Sequence, residues 1–422
     1  MLLNLIGVII SFAFIIFFIR RKINFGLSLI IGSIILSIFS LENTGPYEII
    51  NKVIEVSIYS IKSNEFNTET IELAALMTLI YILAKTMQET GSINKLIYSL
   101  RTIFSKGGIL GIIPAIYGLM PVPGGALFSA PMIDTEGSLY KLNNNQKNFL
   151  NVWFRHIWFS IFPISSAMIL ICSTEFSNID IYLLIFVNSP TFIASIIIGY
   201  FYLKLFIKNN TKNSKIIDHN YSGLIFLIPP IFPIIFYSFL QIIDFPQIRS
   251  FLIGIIFSII LLYFILNIKF KTYIKIIKNS VNLKMAFAIF GIIIFRGIFE
   301  LSGSSNNISN IIMNMPFPPI ILIILIPMIL GILTGYNLGA VALSYPLVEP
   351  FFGLTGINII GLTSVIFISS LVGYLISPIH LCNVLSSEYL KTDTTRMYKM
   401  YIPSSLFILV IQLIFIITVF NI

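Results

Sequence analysis

The residues with the types and spacing to do chemistry stand where long apolar runs are interrupted. One interruption reads Met120-Pro121-Val122-Pro123-Gly124-Gly125, another Thr334-Gly335-Tyr336-Asn337-Leu338-Gly339. Proline deletes a backbone donor and stops a helix, and glycine admits a close approach that a Cβ would block. Two further breaks carry polar side chains: Phe162-Pro163-Ile164-Ser165-Ser166, and Ile376-Ser377-Pro378-Ile379-His380 followed by Asn383. A proline here opens a new half-helix, whose free N–H groups and positive dipole end point into the break. Such ends favour an anion, while unwound carbonyls at the tips suit Na⁺. The binding set expected from this pattern is Pro121, Pro123, Gly124, Gly125, Ser165, Ser166, Thr334, Gly335, Asn337, Gly339, Ser377, His380 and Asn383. The alternative is four kinks that only let helices pack, each serine bonding the carbonyl one turn back.

Arg155-His156 lie inside an apolar run. A cation at membrane depth is costly and is usually functional or paired. Two readings stand for Arg155: a role in ion or substrate coupling, or a side chain that snorkels towards Asp134 or Glu136. His156 has the pKa range of a coupling group, and a lone histidine also serves as a hydrogen-bonded core residue. Lys85 and Arg296 are expected to pair with Glu89 and Glu300 one turn on. Cys172 and Cys382 have no metal-ligand spacing and read as buried apolar side chains, so no metal site is expected beyond Na⁺ at tip carbonyls. No run carries Asp or Glu at its centre, which weakens a carboxylate-based proton exchange mechanism. HExxH, GxSxG and Walker A patterns are absent, so an enzyme is not expected.

The elements that must hold these residues span a membrane. The chain is 57% hydrophobic and 10% charged, with mean hydropathy +0.96. Apolar runs of about twenty residues, enough to cross a bilayer, fall at roughly 2–19, 24–40, 71–88, 148–172, 181–206, 222–241, 249–268, 284–300, 357–377 and 402–421. Arg20-Arg21-Lys22 after the first run mark it as a retained span. Pro46–Ile61 is expected to form a helix on the membrane surface. The net charge of +9 sits in short loops, as the positive-inside rule requires, and not on a face for nucleic acid.

Two stretches containing breaks, about 108–133 and 318–350, resemble one another. Pro114 and Gly118 match Pro327 and Gly331; after a two-residue insertion Gly124, Ser129 and Pro131 match Gly339, Ser344 and Pro346. The same offset carries Pro163 onto Pro378. If both stretches are re-entrant hairpins and the N-terminus is outside, all but Lys52, Lys62, Arg249 and Arg296 of the 26 lysines and arginines fall on or near the cytoplasmic side. Single crossings would turn the basic loops between them outward, against the positive-inside rule. The expected architecture is therefore an all-α polytopic membrane protein of two inverted repeats, each with five transmembrane helices and one re-entrant hairpin. The repeats are 1–207 and 222–422, joined by a cytoplasmic linker, 208–221, with both termini outside.

The segments PVPGGALFSAP, NVWFRHIWFSIFP and SPIHLCNVLSSEYL resemble the "domain of unknown function 401" family of prokaryotic membrane proteins, over nearly the whole chain. That family is placed with the ion transporter superfamily of dicarboxylate, gluconate, arsenite and sodium/proton carriers. The resemblance implies a scaffold and a transport domain whose two hairpins meet at the substrate site, often in a homodimer, in a prokaryotic cytoplasmic membrane. The tips here differ from the Ser-Asn-Thr of the dicarboxylate branch. The function expected is secondary active transport of a small, anionic solute coupled to Na⁺ or H⁺, with membrane lipid and the solute as partners. The alternative is a cation/proton antiporter or metalloid exporter on the same fold; a channel or intramembrane enzyme ranks below both.

Overall fold

A computed structural model of the chain describes residues 2–42, 44–60, 64–104, 107–119, 125–207, 220–313, 318–392 and 394–420. The first half contributes α1 (Leu2–Arg20), α2 (Phe25–Ser40), α3 (Pro46–Ser57), α4 (Thr68–Glu89), α5 (Ser92–Ile103), α6 (Ile109–Gly118), α7 (Ala126–Leu139), α8 (Asn144–His156), α9 (Ser166–Cys172) and α10 (Ile181–Phe206). The second contributes α11 (Ile228–Gln241), α12 (Gln247–Leu266), α13 (Phe270–Ser280), α14 (Lys284–Leu301), α15 (Ser304–Met313), α16 (Ile320–Thr334), α17 (Asn337–Val348), α18 (Ile359–Ile376), α19 (Leu381–Tyr389) and α20 (Thr394–Phe420). Among the described residues, eight helical segments are long and apolar enough to cross a membrane, as the composition requires; the expected span at 24–40 is the shorter apolar helix α2. Of the stretch expected to form a surface helix, Pro46–Ser57 is helical as α3. An antiparallel ladder, β1 (Tyr59–Ser60) on β2 (Glu65–Phe66), follows it and had no sequence signal.

Polar residues mark where the apolar helices begin. The Asn24, Asn67, Asn143, Asp180 and Asn358 side chains accept from free N–H groups in the first turns of α2, α4, α8, α10 and α18. Each such cap contributes about 1 kcal/mol. The run at 148–172 is not one helix. It divides into α8, a 3₁₀ turn at Ile157–Ser160, and α9 after the Pro163 break.

The repeated segments pack alike. α6 packs on α8 and α16 on α18; α7 packs on α8 and α17 on α18. The contacts between halves are reciprocal as well, with α7 against α19 and α17 against α9. The matched glycines explain the closeness. A Cβ on Gly118 would lie 2.1 Å from the Arg155 carbonyl oxygen on α8, and one on Gly331 would lie 2.6 Å from the Ser370 carbonyl oxygen on α18. Small residues let backbones approach where hydrophobic burial gives helices little reason to associate. α18 and α19 form the centre: 83% of their apolar window is buried, against 33% for α1.

Helix ends sort onto two faces. On the first, Asn4 bonds to Ser302 and Ser304, Thr174 to Glu69, Arg249 to Glu72, Tyr237 to Asp180, and the Asn358 N–H to the Phe420 carbonyl. On the second, Gly223 N–H donates to Ser99, Lys147 pairs with Asp134, and Asn148 bonds to Thr392. Arg101, before α6, pairs with Glu136 near the end of α7 at 2.7 Å. Arg296, near the end of α14, pairs with Glu349 just after α17 at 3.3 Å, besides its bond to Glu300 at 2.8 Å. Lys85 pairs with Glu89 as expected. The linker residues 208–219 lie outside the described residues.

Candidate functional site

The breaks are built differently from one another. In the first half, α8 ends at His156 and Ser165 caps α9, its hydroxyl accepting from the Met168 N–H at 3.4 Å. In the second, Ser377 Oγ donates to the Ile332 carbonyl at 2.6 Å, and Tyr398 donates to the Ser377 carbonyl at 2.7 Å. Asn383 Nδ2 donates to the Leu375 carbonyl at 3.1 Å. Between α16 and α17, Thr334 Oγ1 donates back to the Leu330 carbonyl at 2.7 Å, and Gly335 turns the chain with φ +60°. Thr334, Ser377 and Asn383 thus hold unwound backbone in place, as buried polar groups must when helical partners are lost.

The breaks enclose a cavity of about 310 Å³. Gly118, Arg155, Ser165 and Ser166 line it from the first half, and Gly335, Tyr336, Asn337, Leu381 and Cys382 from the second. Ile19, Ile23, Phe25 and Met285, at the second-face ends of α1, α2 and α14, complete the wall. Asn337, at the start of α17, is 7% exposed, and its Oδ1 is buried with no hydrogen-bond partner. The N–H groups of the first turn of α17 emerge beside it.

Arg155 is 2% exposed. Its Nη1 donates to the Tyr117 carbonyl at 2.7 Å, across α6. It does not snorkel: Lys147 holds Asp134 and Arg101 holds Glu136. The guanidinium lies against Gly125, where a Cβ would stand 2.1 Å from Nη2. The start of α7 is tied to the second half through Asn151, which donates to the Ala126 carbonyl and to Ser386 on α19.

Beside the cavity lie His156, His380 and Cys382, all buried, with metal-binding atoms within 4.8 Å of one another. His156 Nδ1 contacts the Val152 carbonyl at 2.6 Å and Tyr374 Oη lies 3.3 Å from Nε2. Neither ring nitrogen of His380 makes a hydrogen bond of good geometry, and the Cys382 thiol and the Leu375 carbonyl are its polar neighbours. Cys382 is free and buried, as expected; its place beside two histidines is what the spacing of the cysteines did not show. His156 and His380 are far apart in sequence and meet only because both breaks fall at one depth; the His380-x-Cys382 spacing was the sole local signal.

Of the expected binding residues, Ser165, Ser166, Gly335 and Asn337 meet at the cavity with Arg155, and Gly125 abuts Arg155. Gly339 faces the Phe25 ring, 3.0 Å from a built Cβ, and not the cavity. Pro121, Pro123 and Gly124 lie outside the described residues. Tyr336 and Tyr374 line the cavity and were not anticipated, since aromatic residues in apolar runs carry no distinguishing pattern. A wider depression of about 530 Å³ on the first face offers less: Glu72 is taken by Arg249, Glu69 by Thr174, and Asp180 by Tyr237 and Gln241.

No curated protein matches the chain. The fold is similar to that of the YdaH transporter of Alcanivorax borkumensis, whose crystal structure is described as having an unusual topology. The TM-score is 0.58 at 12% identity, covering 91% of this chain and 97% of that one. A protein family described as "Protein of unknown function (DUF401)" matches residues 2–422, and the chain belongs to that family.

Proposed function

We propose that this membrane protein is a secondary active transporter that moves a small anionic solute through the cavity between the breaks, coupled to Na⁺ or H⁺. The observation that carries this is Arg155. A buried guanidinium at membrane depth costs about 3 kcal/mol or more, and here it faces a cavity whose walls come from both repeated segments. The start of α17 adds N–H groups of the same sign. This pairing of cation and helix end opposes the cation-exchange alternative, since a positive wall repels a cation.

The architecture belongs to the same proposal. Two re-entrant hairpins, α6–α7 and α16–α17, enter from opposite faces. The ion pairs Arg101–Glu136 and Arg296–Glu349 support this, because each joins the chain before a hairpin to the chain after it. A single crossing would put those partners a bilayer apart, about 30 Å. Because the hairpins open to opposite faces, the repeats are inverted, as in ion-transporter-superfamily folds. The second face, rich in Lys and Arg, is cytoplasmic, so both termini are outside and the cavity is in an inward-facing state. The protein acts as a homodimer in a prokaryotic cytoplasmic membrane.

Reconstitution in proteoliposomes tests the transport reading. Uptake of a radiolabelled anion that saturates, exchanges with trans anion, and accumulates under a Na⁺ or pH gradient is expected. Ohmic anion current in planar bilayers without gradient-driven accumulation would make it a channel.

A further inference from the structure

We propose that His156, His380 and Cys382 form a binding site for a soft monovalent d¹⁰ cation, copper(I) in chemical class, beside the anion cavity and independent of it. The three ligand atoms lie within 4.8 Å of one another. Metal–ligand bonds of about 2.0–2.3 Å place ligand atoms roughly 3.5–4 Å apart around one ion, so the set closes on a metal by about 1 Å of side-chain movement.

The surroundings fit ligation. Metal-bound histidines usually give their other ring N–H to a backbone carbonyl, which fixes the tautomer. His156 does this through Nδ1 to the Val152 carbonyl, which leaves the Nε2 lone pair for a metal once the Tyr374 hydroxyl, 3.3 Å away, gives it up. His380 is fully buried, and neither ring nitrogen makes a hydrogen bond of good geometry; the Cys382 thiol and the Leu375 carbonyl are its polar neighbours. A buried imidazole so poorly satisfied gains from a coordinate bond. Cys382 lines the cavity as well as the cluster, which supplies an entry path for copper(I) carried in a neutral or anionic complex, as the positive wall requires.

Charge selects the ion. On binding, the Cys382 S–H bond breaks, an S–metal bond forms, and the proton leaves through the cavity to bulk water. A thiolate, two neutral imidazoles and a monovalent cation sum to zero charge. A divalent ion would leave net positive charge beside Arg155 in a dry interior, where uncompensated charge is costly. Thiolate and imidazole ligands in a three-coordinate set suit copper(I).

The test uses the full-length protein in detergent, with copper(I) supplied anaerobically as its bicinchoninate complex. Chelator competition gives affinity, and X-ray absorption gives the ligand set. One copper(I) per chain is expected, with one sulfur and two nitrogen neighbours. Affinity should fall at least a hundredfold in Cys382→Ala and His380→Gln and hold within threefold in Cys172→Ser, which removes the other buried thiol. Copper bound through sulfur alone, binding unchanged in Cys382→Ala, or no transfer from the chelator would overturn the assignment. If the Cys382 variant does not fold, the absorption spectrum of the wild-type protein decides. Anion binding by the same preparation is scored separately, so either proposal can fail alone.

Discussion

Replacing Gly125 by alanine separates site from scaffold. Its backbone is right-handed helical, φ −57° and ψ −17°, so alanine fits without strain. What the new Cβ meets is Arg155, at 2.1 Å from Nη2, 2.5 Å from Cζ and 2.6 Å from Nη1. Ordinary contact needs about 3.4 Å or more, so the guanidinium must retreat by roughly 1.3 Å. That disturbs its 2.7 Å bond to the Tyr117 carbonyl and takes the guanidinium out of the position in which it lines the cavity. The bond at stake for the anion is its own contact with the guanidinium; a hydrogen bond from a charged donor is worth about 1.5–3 kcal/mol, so losing it should weaken anion affinity roughly 10- to 150-fold. Folding should change little, because the guanidinium ends a flexible side chain. Gly118→Ala is the contrast. Its Cβ would meet the Arg155 carbonyl oxygen at 2.1 Å, a backbone contact that forces α6 from α8. Thermal unfolding and anion binding, measured on both variants, give opposite profiles if the geometry is right. Gly125→Ala binding like wild type, with Gly118→Ala equally stable, would refute the reasoning.

Three further outcomes follow. With Cys172 and Cys382 replaced, single cysteines at Tyr47, Asp244 and Gly353 should label from outside, and at Lys141, Lys269 and Glu388 from the cytoplasm; labelling of Lys141→Cys from outside would end the hairpin reading. Gly335→Ala places a side chain at φ +60° and 2.8 Å from Ile379 Cγ1, so it should lower stability by about 1–2 kcal/mol, whereas Gly339→Ala, meeting only the tip of the Phe25 ring, should cost less in a thermal scan. Burial raises the pKa of Glu175, in the first-face loop after α9, and the Arg296 charge only partly opposes this. Its raised folded pKa gives stability that is full below about pH 4.5 and is lost as pH rises through the folded value. Glu175→Gln should therefore raise the melting temperature at pH 7 and flatten its fall with rising pH; an unchanged pH profile would contradict this.

Much of the fold was legible because a membrane protein writes its spans as apolar length. The matched prolines and glycines of α6–α7 and α16–α17 were legible as a repeat, and Gly118 and Gly331 prove to mark backbone-close crossings of the next helix. The site was legible only as a location. Sequence cannot tell that Thr334, Ser377 and Asn383 donate to backbone carbonyls at the breaks while Asn337 lines the cavity, since that depends on which carbonyls unwinding exposes. It left Arg155 between snorkelling and function. Lys147 and Arg101, from α8 and α5, take the two carboxylates, which removes the snorkelling partners and leaves the functional role as the proposal. The His156–His380–Cys382 cluster was illegible because its members come from separate breaks, brought together by the packing of α8 against α19 and of the 3₁₀ turn after α8 against α18.

The most direct measurement is a thermal-shift screen of the purified protein with carboxylates, phosphate, sulfate and matched cations, each with and without Na⁺, run in parallel on wild type and Arg155→Gln. At least one small anion should raise the wild-type melting temperature and leave the Arg155→Gln variant unmoved, with the variant folded by circular dichroism. Stabilisation by cations alone, or equal stabilisation of both proteins by the same anion, would contradict an anion site at Arg155.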